Sequence, residues 1–102
     1  MSRTIHTFEA IWNDIPLTIS WEPNWLNLES REGIAAAHLQ VRSRDNVPLP
    51  ITQTGYRSHF TSSAAVTSAG GPVAYALAWL ATEADTPEWR AHEAAANQLT
   101  LF

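Results

Sequence analysis

The spacing of apolar residues changes once along this chain, near Gly70-Gly71-Pro72, and that change most restricts the folds open to it. Before this point, apolar and polar residues alternate, which is typical of strands whose two faces meet different surroundings. After it, alanine becomes the commonest residue and apolar side chains recur every three or four positions, as in helices that cover a surface with one face. The pattern therefore predicts an α+β domain in which a sheet is followed by helices.

Four strands are predicted in the first part of the chain, at 4–12, 17–22, 37–44 and 49–60. Turn-forming residues in 13–16 indicate that the first two strands make an antiparallel hairpin. Pro48 and Pro50 place the start of the fourth strand at a sheet edge or beyond it, because proline cannot donate to a ladder. Between the second and third strands, 25–33 is predicted to be an irregular loop.

Two helices are predicted in the last part of the chain. The first begins at Pro72, which suits a first helical turn, and runs to about Thr82. The second begins near Pro87, after a capping residue, and runs to about Asn97. Residues 62–71 are predicted to be an ordinary strand-to-helix connection. The predicted fold is a four-stranded antiparallel sheet followed by two C-terminal helices packed on one face, with a small half-barrel as the alternative for the β part.

The same periodicities predict one buried cluster, drawn from alternate strand residues and one face of the first helix. Its expected members are Phe8, Trp12, Ile19, Trp21, Leu39, Val41, Val73, Leu77 and Leu80. Five tryptophans are many for 102 residues, and most are expected to be core or interface anchors. Because tryptophan suits both roles, the oligomeric state stays open.

Composition limits the classes of function. At 102 residues, 45% of them hydrophobic and 16% charged, the chain suits one folded domain, predicted at 1–97, with 98–102 as a linear motif. The absence of cysteine excludes disulfides and thiolate metal sites, and no metal or cofactor is expected. His6 and His92 are interpreted as a strand residue and a helix-surface residue rather than as metal ligands.

Charge and hydropathy indicate where the protein acts. A net charge of −4 argues against direct nucleic-acid binding, which needs a basic surface. No signal peptide and no apolar stretch of membrane-spanning length is visible, so a cytoplasmic protein is expected. All six basic residues are arginine, which is typical of a GC-rich bacterial genome.

The last five residues carry the most specific motif. Gln98-Leu99-Thr100-Leu101-Phe102 resembles the short peptide by which bacterial replication and repair proteins dock on the β sliding clamp of DNA polymerase. The resemblance, which covers only these five residues, implies that Gln98 forms a hydrogen bond at the rim of a clamp pocket. It also implies that Leu99, Leu101 and Phe102 fill its apolar sub-sites, with Thr100 variable. The alternative is that these apolar residues close the core as a last short strand or helix end.

A second constellation lies in the fourth predicted strand, where alternation puts Arg57 and His59 on one face. If they neighbour His38, Arg42 and Arg44 across the ladder, they form a cationic patch that could bind a phosphate or carboxylate. In an enzyme, His38 or His59 would be a general base and Arg57 an anion clamp. The favoured interpretation is a solvated face of mixed charge, because no nucleophile-elbow, P-loop, metal-ligand or carboxylate-pair motif accompanies these residues.

The sequence therefore favours a small non-enzymatic bacterial protein that binds a protein partner. The partner indicated by the tail is the β sliding clamp, bound either to recruit this protein to replicating DNA or to compete with the polymerase. One alternative is a small regulator or interaction module of a plasmid or phage, acting through its tryptophan-rich region or the Tyr56–Phe60 strand. A second alternative is a small enzyme that uses the Arg/His sheet face.

Overall fold

The structure, a computed structural model, describes residues 5–23 and 37–99, so the predicted loop at 25–33 lies outside the described residues. The described elements are β1 (His6–Trp12), β2 (Ile15–Glu22), β3 (Ala37–Ser43), β4 (Tyr56–Thr61), α1 (Ser63–Ser68), α2 (Pro72–Ala84) and α3 (Pro87–Leu99). The four strands form one antiparallel sheet in the order β1-β2-β3-β4, and the helices follow it. The predicted α+β class is confirmed. In the described ranges no helix is long and apolar enough to cross a membrane.

The β1–β2 hairpin turns through two residues, Asn13 and Asp14, whose φ angles are 49° and 65°. Positive φ at both central positions defines a type I′ turn, whose twist matches that of the flanking strands. Asn and Asp are the non-glycine residues that adopt this conformation most readily. The turn brings Trp12 opposite Ile15 and so fixes the register of the whole hairpin.

Alternation along the strands separates the sheet into two faces. The covered face, which packs against the helices, carries the buried Leu17, Ile19 and Trp21 of β2 and Leu39 and Val41 of β3. The open face carries the intervening residues, which are mostly polar. This division follows from the two-residue period of a strand and confirms the alternation predicted for β2 and β3.

The core lies between the covered face and α2. Ala76 and Leu80, one helical turn apart, are fully buried against it, and Val73 and Leu77 are half-buried beside them. Of the predicted core, five residues are buried and three half-buried. The prediction for Phe8 is wrong: its side chain is 37% exposed, because β1 is an edge strand with a neighbouring strand on only one side in the described sheet.

The segment between β3 and β4 corrects the predicted fourth strand, which begins at Tyr56 rather than at Leu49. Leu49 and Thr52 instead exchange two backbone hydrogen bonds of 2.7 and 3.0 Å in a tight turn. This turn buries Leu49 and Ile51 in the core. Leu49 and Ile51 are two positions apart, as apolar residues on one face of a strand would be, but here they belong to a turn.

The helices differ from prediction in two respects: one helix is additional, and one ends later than expected. The segment 62–71, predicted to be a connection, contains α1, in which the Ala65 amide donates to the Ser62 hydroxyl and Val66 is buried. With one buried residue, this helix leaves no periodic signal. Helix α3 begins as predicted, with the Trp89 amide donating to the Thr86 hydroxyl, and runs to Leu99 rather than to about Asn97.

Candidate partner-binding surfaces

The predicted cationic patch is divided between the two faces of the sheet. Arg57 lies opposite Val41 and His59 opposite Leu39, so both β4 residues project on the covered face, at its margin. Arg57 is exposed there, as expected, whereas His59 is half-buried. The predicted sharing of one face by these two residues is therefore confirmed.

The other members of the predicted patch lie elsewhere. His38 and Arg42 are on the open face, opposite Phe60 and Tyr56, and Arg44 lies in the 3-10 turn that follows β3. The five residues therefore do not form one cationic patch. The sequence shows which residues of one strand share a face. The pairing register decides which residues of neighbouring strands lie on the same face of the sheet.

Arg57 and His59 instead join two aromatic side chains of α2 in what we term the aromatic cluster: Arg57, His59, Tyr75 and Trp79. Nε2 of His59 lies 2.9 Å from the Tyr75 hydroxyl, and the His59 and Trp79 rings are 4.5 Å apart between centroids. The Arg57 guanidinium carbon is 5.7 Å from the Trp79 ring centroid, within the range of a cation–π contact. Burial, and then the nearby Arg57 charge, lower the pKa of His59. Both effects favour the uncharged form of the imidazole, whose Nε2 contacts the Tyr75 hydroxyl.

Trp79 separates two shallow grooves. The first, about 340 Å³, is mostly apolar and is lined by Ala69, Tyr75, Ala78, Trp79 and Thr82. The second, about 190 Å³, is lined by Pro50, Ile51, Arg57, Trp79 and Glu83 and carries one charge of each sign. Trp, Tyr and Arg are the residue types that most often dominate binding energies at protein interfaces. The aromatic cluster is thus suited to holding an apolar side chain of a protein partner beside a polar contact.

The open face has a different chemistry. The Arg42 guanidinium carbon lies 4.7 Å from the Tyr56 ring centroid, and the His38 ring stacks on Phe60 at 4.5 Å. His38 Nε2 also lies 2.5 Å from the Ser58 hydroxyl. These contacts join β3 to β4 by cross-strand pairs.

A groove of about 410 Å³ opens beside Arg42 on the open face. Its lining includes the two arginines Arg42 and Arg44 and the two acids Glu9 and Asp45. Because the charges balance, this groove does not offer the net positive potential that anion binding requires.

The structure brings together few of the side chains that the enzyme interpretation requires. His38 and Arg57 lie on opposite faces, so they cannot act as base and clamp on one substrate. His59 is beside Arg57, but its ring is packed on Trp79 and bonded to Tyr75. Within the described residues, no group of three or more His, Asp or Glu side chains is placed to hold a metal ion.

The described contacts of α3 with the β1–β2 hairpin lie in the first half of the helix. Trp89 is buried and packs on Trp12, with 5.9 Å between ring centroids, and His92 stacks on Trp89 from the exposed side. The Asn13 side chain donates to a Glu93 carboxylate oxygen at 2.9 Å. Beyond Glu93 the described side chains are exposed.

The C-terminal pentapeptide begins on this helix. Gln98 and Leu99 belong to the last turn of α3, and Thr100, Leu101 and Phe102 lie outside the described residues. The helix therefore carries the first two positions of the motif away from the part of α3 that contacts the sheet.

These observations define a small α+β domain with an antiparallel sheet covered on one face and aromatic groups at its margin. The family described as KlcB third domain matches residues 5–89, and because this is most of the chain, the protein belongs to that family. The comparisons with curated proteins and with solved structures found no match. The matched range ends early in α3, so the pentapeptide lies outside it.

Proposed function

We propose that this protein binds a protein partner and that residues 98–102 dock on the bacterial β sliding clamp. The observation that carries the proposal is the Gln-Leu-x-Leu-Phe motif at the end of α3, beyond the last described contact of that helix with the sheet. Docking would either recruit the protein to replicating DNA or exclude a polymerase from the same pocket. The motif lies outside residues 5–89, the range that the family model matches.

The expected affinity of the isolated tail is low. Burying Leu99, Leu101 and Phe102 contributes about 1.5–3 kcal/mol per side chain. Ordering the five residues costs about 1–2 kcal/mol per residue in backbone entropy. The two sums nearly cancel: the largest surplus, about 4 kcal/mol, corresponds to a dissociation constant of about 1 mM, and a micromolar constant needs a further contact. Repeated sites on a ring-shaped clamp, or a second contact from the folded body, would raise the effective affinity.

A triple substitution tests the proposal. Changing Gln98, Leu101 and Phe102 together to alanine is expected to abolish clamp binding in calorimetry while leaving the melting temperature nearly unchanged. The matched control is Thr100→Ala, which changes the variable position and should bind as the unaltered chain does. If the tail closes the core instead, the triple variant loses stability and the unaltered protein forms no complex. Absence of a complex at high micromolar concentrations would end the clamp hypothesis.

A second candidate is an interaction module of a mobile element that acts through the folded body. Membership of the KlcB third-domain family, which is associated with plasmids, favours this setting, and the grooves beside Trp79 offer a surface. Trp79→Leu should then weaken binding of the partner, while Ala81→Ser, on the exposed side of the same helix, should not.

A further inference from the structure

The outer edge of β1 is exposed in a way that natural sheets usually avoid. In the described sheet β1 pairs with β2 alone, so one row of its backbone N–H and C=O groups faces outward. The strand is seven residues long, contains neither proline nor lysine, and has Glu9 as its one acidic residue. Long apolar edges without such protection readily pair with another strand.

The hairpin turn determines which backbone groups are free. In a two-residue type I′ hairpin the residues that close the turn, here Trp12 and Ile15, exchange hydrogen bonds, and bonded pairs then alternate along the ladder. Pro16, which has no N–H, accordingly falls at a non-bonded position opposite Ile11. The backbone groups of Thr7, Glu9 and Ile11, and by the same alternation those of residue 5, therefore project outward.

The side chains of this edge are apolar at regular intervals. Ile5 and Ile11 are 51% and 68% exposed and alternation places both on the open face, whereas Phe8 is 37% exposed on the covered face. An apolar residue three positions to either side of a central apolar residue makes the strand self-complementary under a two-fold axis.

We propose that β1 pairs antiparallel with β1 of a second copy of this chain, with Phe8 on the two-fold axis. Phe8 then faces its own counterpart, and Thr7 forms a hydrogen-bonded pair with Glu9 of the second copy. Ile5, which directly precedes β1, lies opposite Ile11 of the second copy, so the exposed Ile5, Phe8 and Ile11 each gain an apolar neighbour. The two four-stranded sheets become one continuous sheet.

Neighbouring registers are less favourable. Moving the axis to Glu9 places the two Glu9 carboxylates directly opposite each other, which is destabilising. Moving it to Thr7 places Ile5 opposite Glu9 of the second copy and leaves Ile11 beyond the paired strand. The Phe8 register alone among these three pairs both isoleucines. Because one strand supplies a small interface, the dimer is concentration-dependent.

The register is tested by disulfide trapping, since the chain contains no cysteine of its own. Residue 8 forms a non-hydrogen-bonded pair with itself, with Cα atoms about 4.5 Å apart, which a disulfide can span. Phe8→Cys should therefore form a covalent dimer on mild oxidation. Ala10→Cys, on the same face, is the control: its two copies lie about 14 Å apart, because four residues at about 3.4 Å each separate them. It should therefore form no covalent dimer. Equal or faster cross-linking of Ala10→Cys overturns the proposed register.

The dimer itself is tested without cysteines by sedimentation velocity on the full chain over a range of concentrations. The unaltered protein should dimerise, and Ile11→Arg, an exposed substitution, should raise the dissociation constant at least tenfold with an unchanged circular dichroism spectrum. Val47→Arg, at an exposed residue away from β1, is the matched control and should dimerise normally. A chain that stays monomeric at several hundred micromolar, or an Ile11→Arg variant that dimerises as well as the unaltered protein, overturns the proposal.

Discussion

The two faces of the sheet use the same strands for different purposes. On the covered face, Leu17, Ile19, Leu39 and Val41 are almost completely buried under the helices. On the open face, residues one position away in sequence are joined by polar and aromatic cross-strand contacts, such as Arg42 with Tyr56. The first face provides hydrophobic stabilisation, which depends on burial, and the second provides directional contacts that water can reach. Register, rather than composition, assigns each residue to its role.

Gly55, directly before β4, has a φ of 79°, a conformation that favours glycine. A Cβ atom there would lie 2.5 Å from the backbone of Asn46. Gly55→Ala is expected to lower the free energy of unfolding by about 2–6 kcal/mol, because strained backbone and overpacking each cost about 1–3 kcal/mol. Urea denaturation measures this loss. The exposed neighbouring substitution Gln53→Ala should change stability by less than about 0.5 kcal/mol; similar losses for both would show that Gly55 does not constrain the turn.

The contrast between the faces is sharpened by truncating one large apolar residue on each. Leu80→Ala should cost about 2–5 kcal/mol, because Leu80 is fully buried between α2 and the covered face. Ile11→Ala on the open face should cost less than about 0.5 kcal/mol in thermal or urea unfolding at concentrations where the chain is monomeric. Comparable costs at the two sites would mean that the helices do not cover the sheet as described.

The contacts of the open face are expected to be weaker. A double-mutant cycle with Arg42→Met and Tyr56→Leu should give a coupling energy of about 0.5–1 kcal/mol, the usual value of an exposed cation–π pair. The same cycle with Arg44 in place of Arg42 is the control and should give no coupling. A coupling energy near zero for Arg42 and Tyr56 would show that their stacking does not stabilise the fold.

The smallest expected effect is a pH dependence at the margin of the covered face. The unfolded chain protonates His59 near pH 6.5, but burial and Arg57 lower the pKa of His59 in the folded state. The contribution of His59 to stability is therefore fully retained above pH 6.5 and is lost as pH falls through the folded pKa. Arg57→Gln should raise the pKa of His59, whereas Arg42→Gln on the open face should leave it unchanged. Imidazole titration by NMR distinguishes these outcomes, and an equal response to both substitutions would contradict the assigned faces.

Much of the fold could be predicted from local sequence patterns, and the predictions that were wrong have physical reasons. Alternation predicted β2 and β3, Pro72 predicted the start of α2, and a capping residue before Pro87 predicted the start of α3, because these signals are local. The extended strand predicted from Leu49 was wrong at 49–55, where Leu49 and Ile51 reach the core from a turn. The aromatic cluster depends on contacts between residues that are far apart in the sequence. Arg57 and His59 were correctly placed on one face, but their neighbours Tyr75 and Trp79 follow from helix packing that no single segment encodes. Clamp binding by the tail stays a prediction.

The simple sequential order of the strands has a consequence for how the chain acquires its structure during synthesis. Each described strand pairs with the one before it in sequence, so hairpin contacts can form as soon as the second strand of each pair is made. Such near-neighbour contacts favour rapid folding, because pairing consecutive strands closes shorter loops than pairing distant strands would. The helices that cover the sheet are made last, however. Until α2 has been synthesised, the apolar surface of β2 and β3 is exposed to other nascent chains, and the rate at which α2 docks sets how long that exposure lasts.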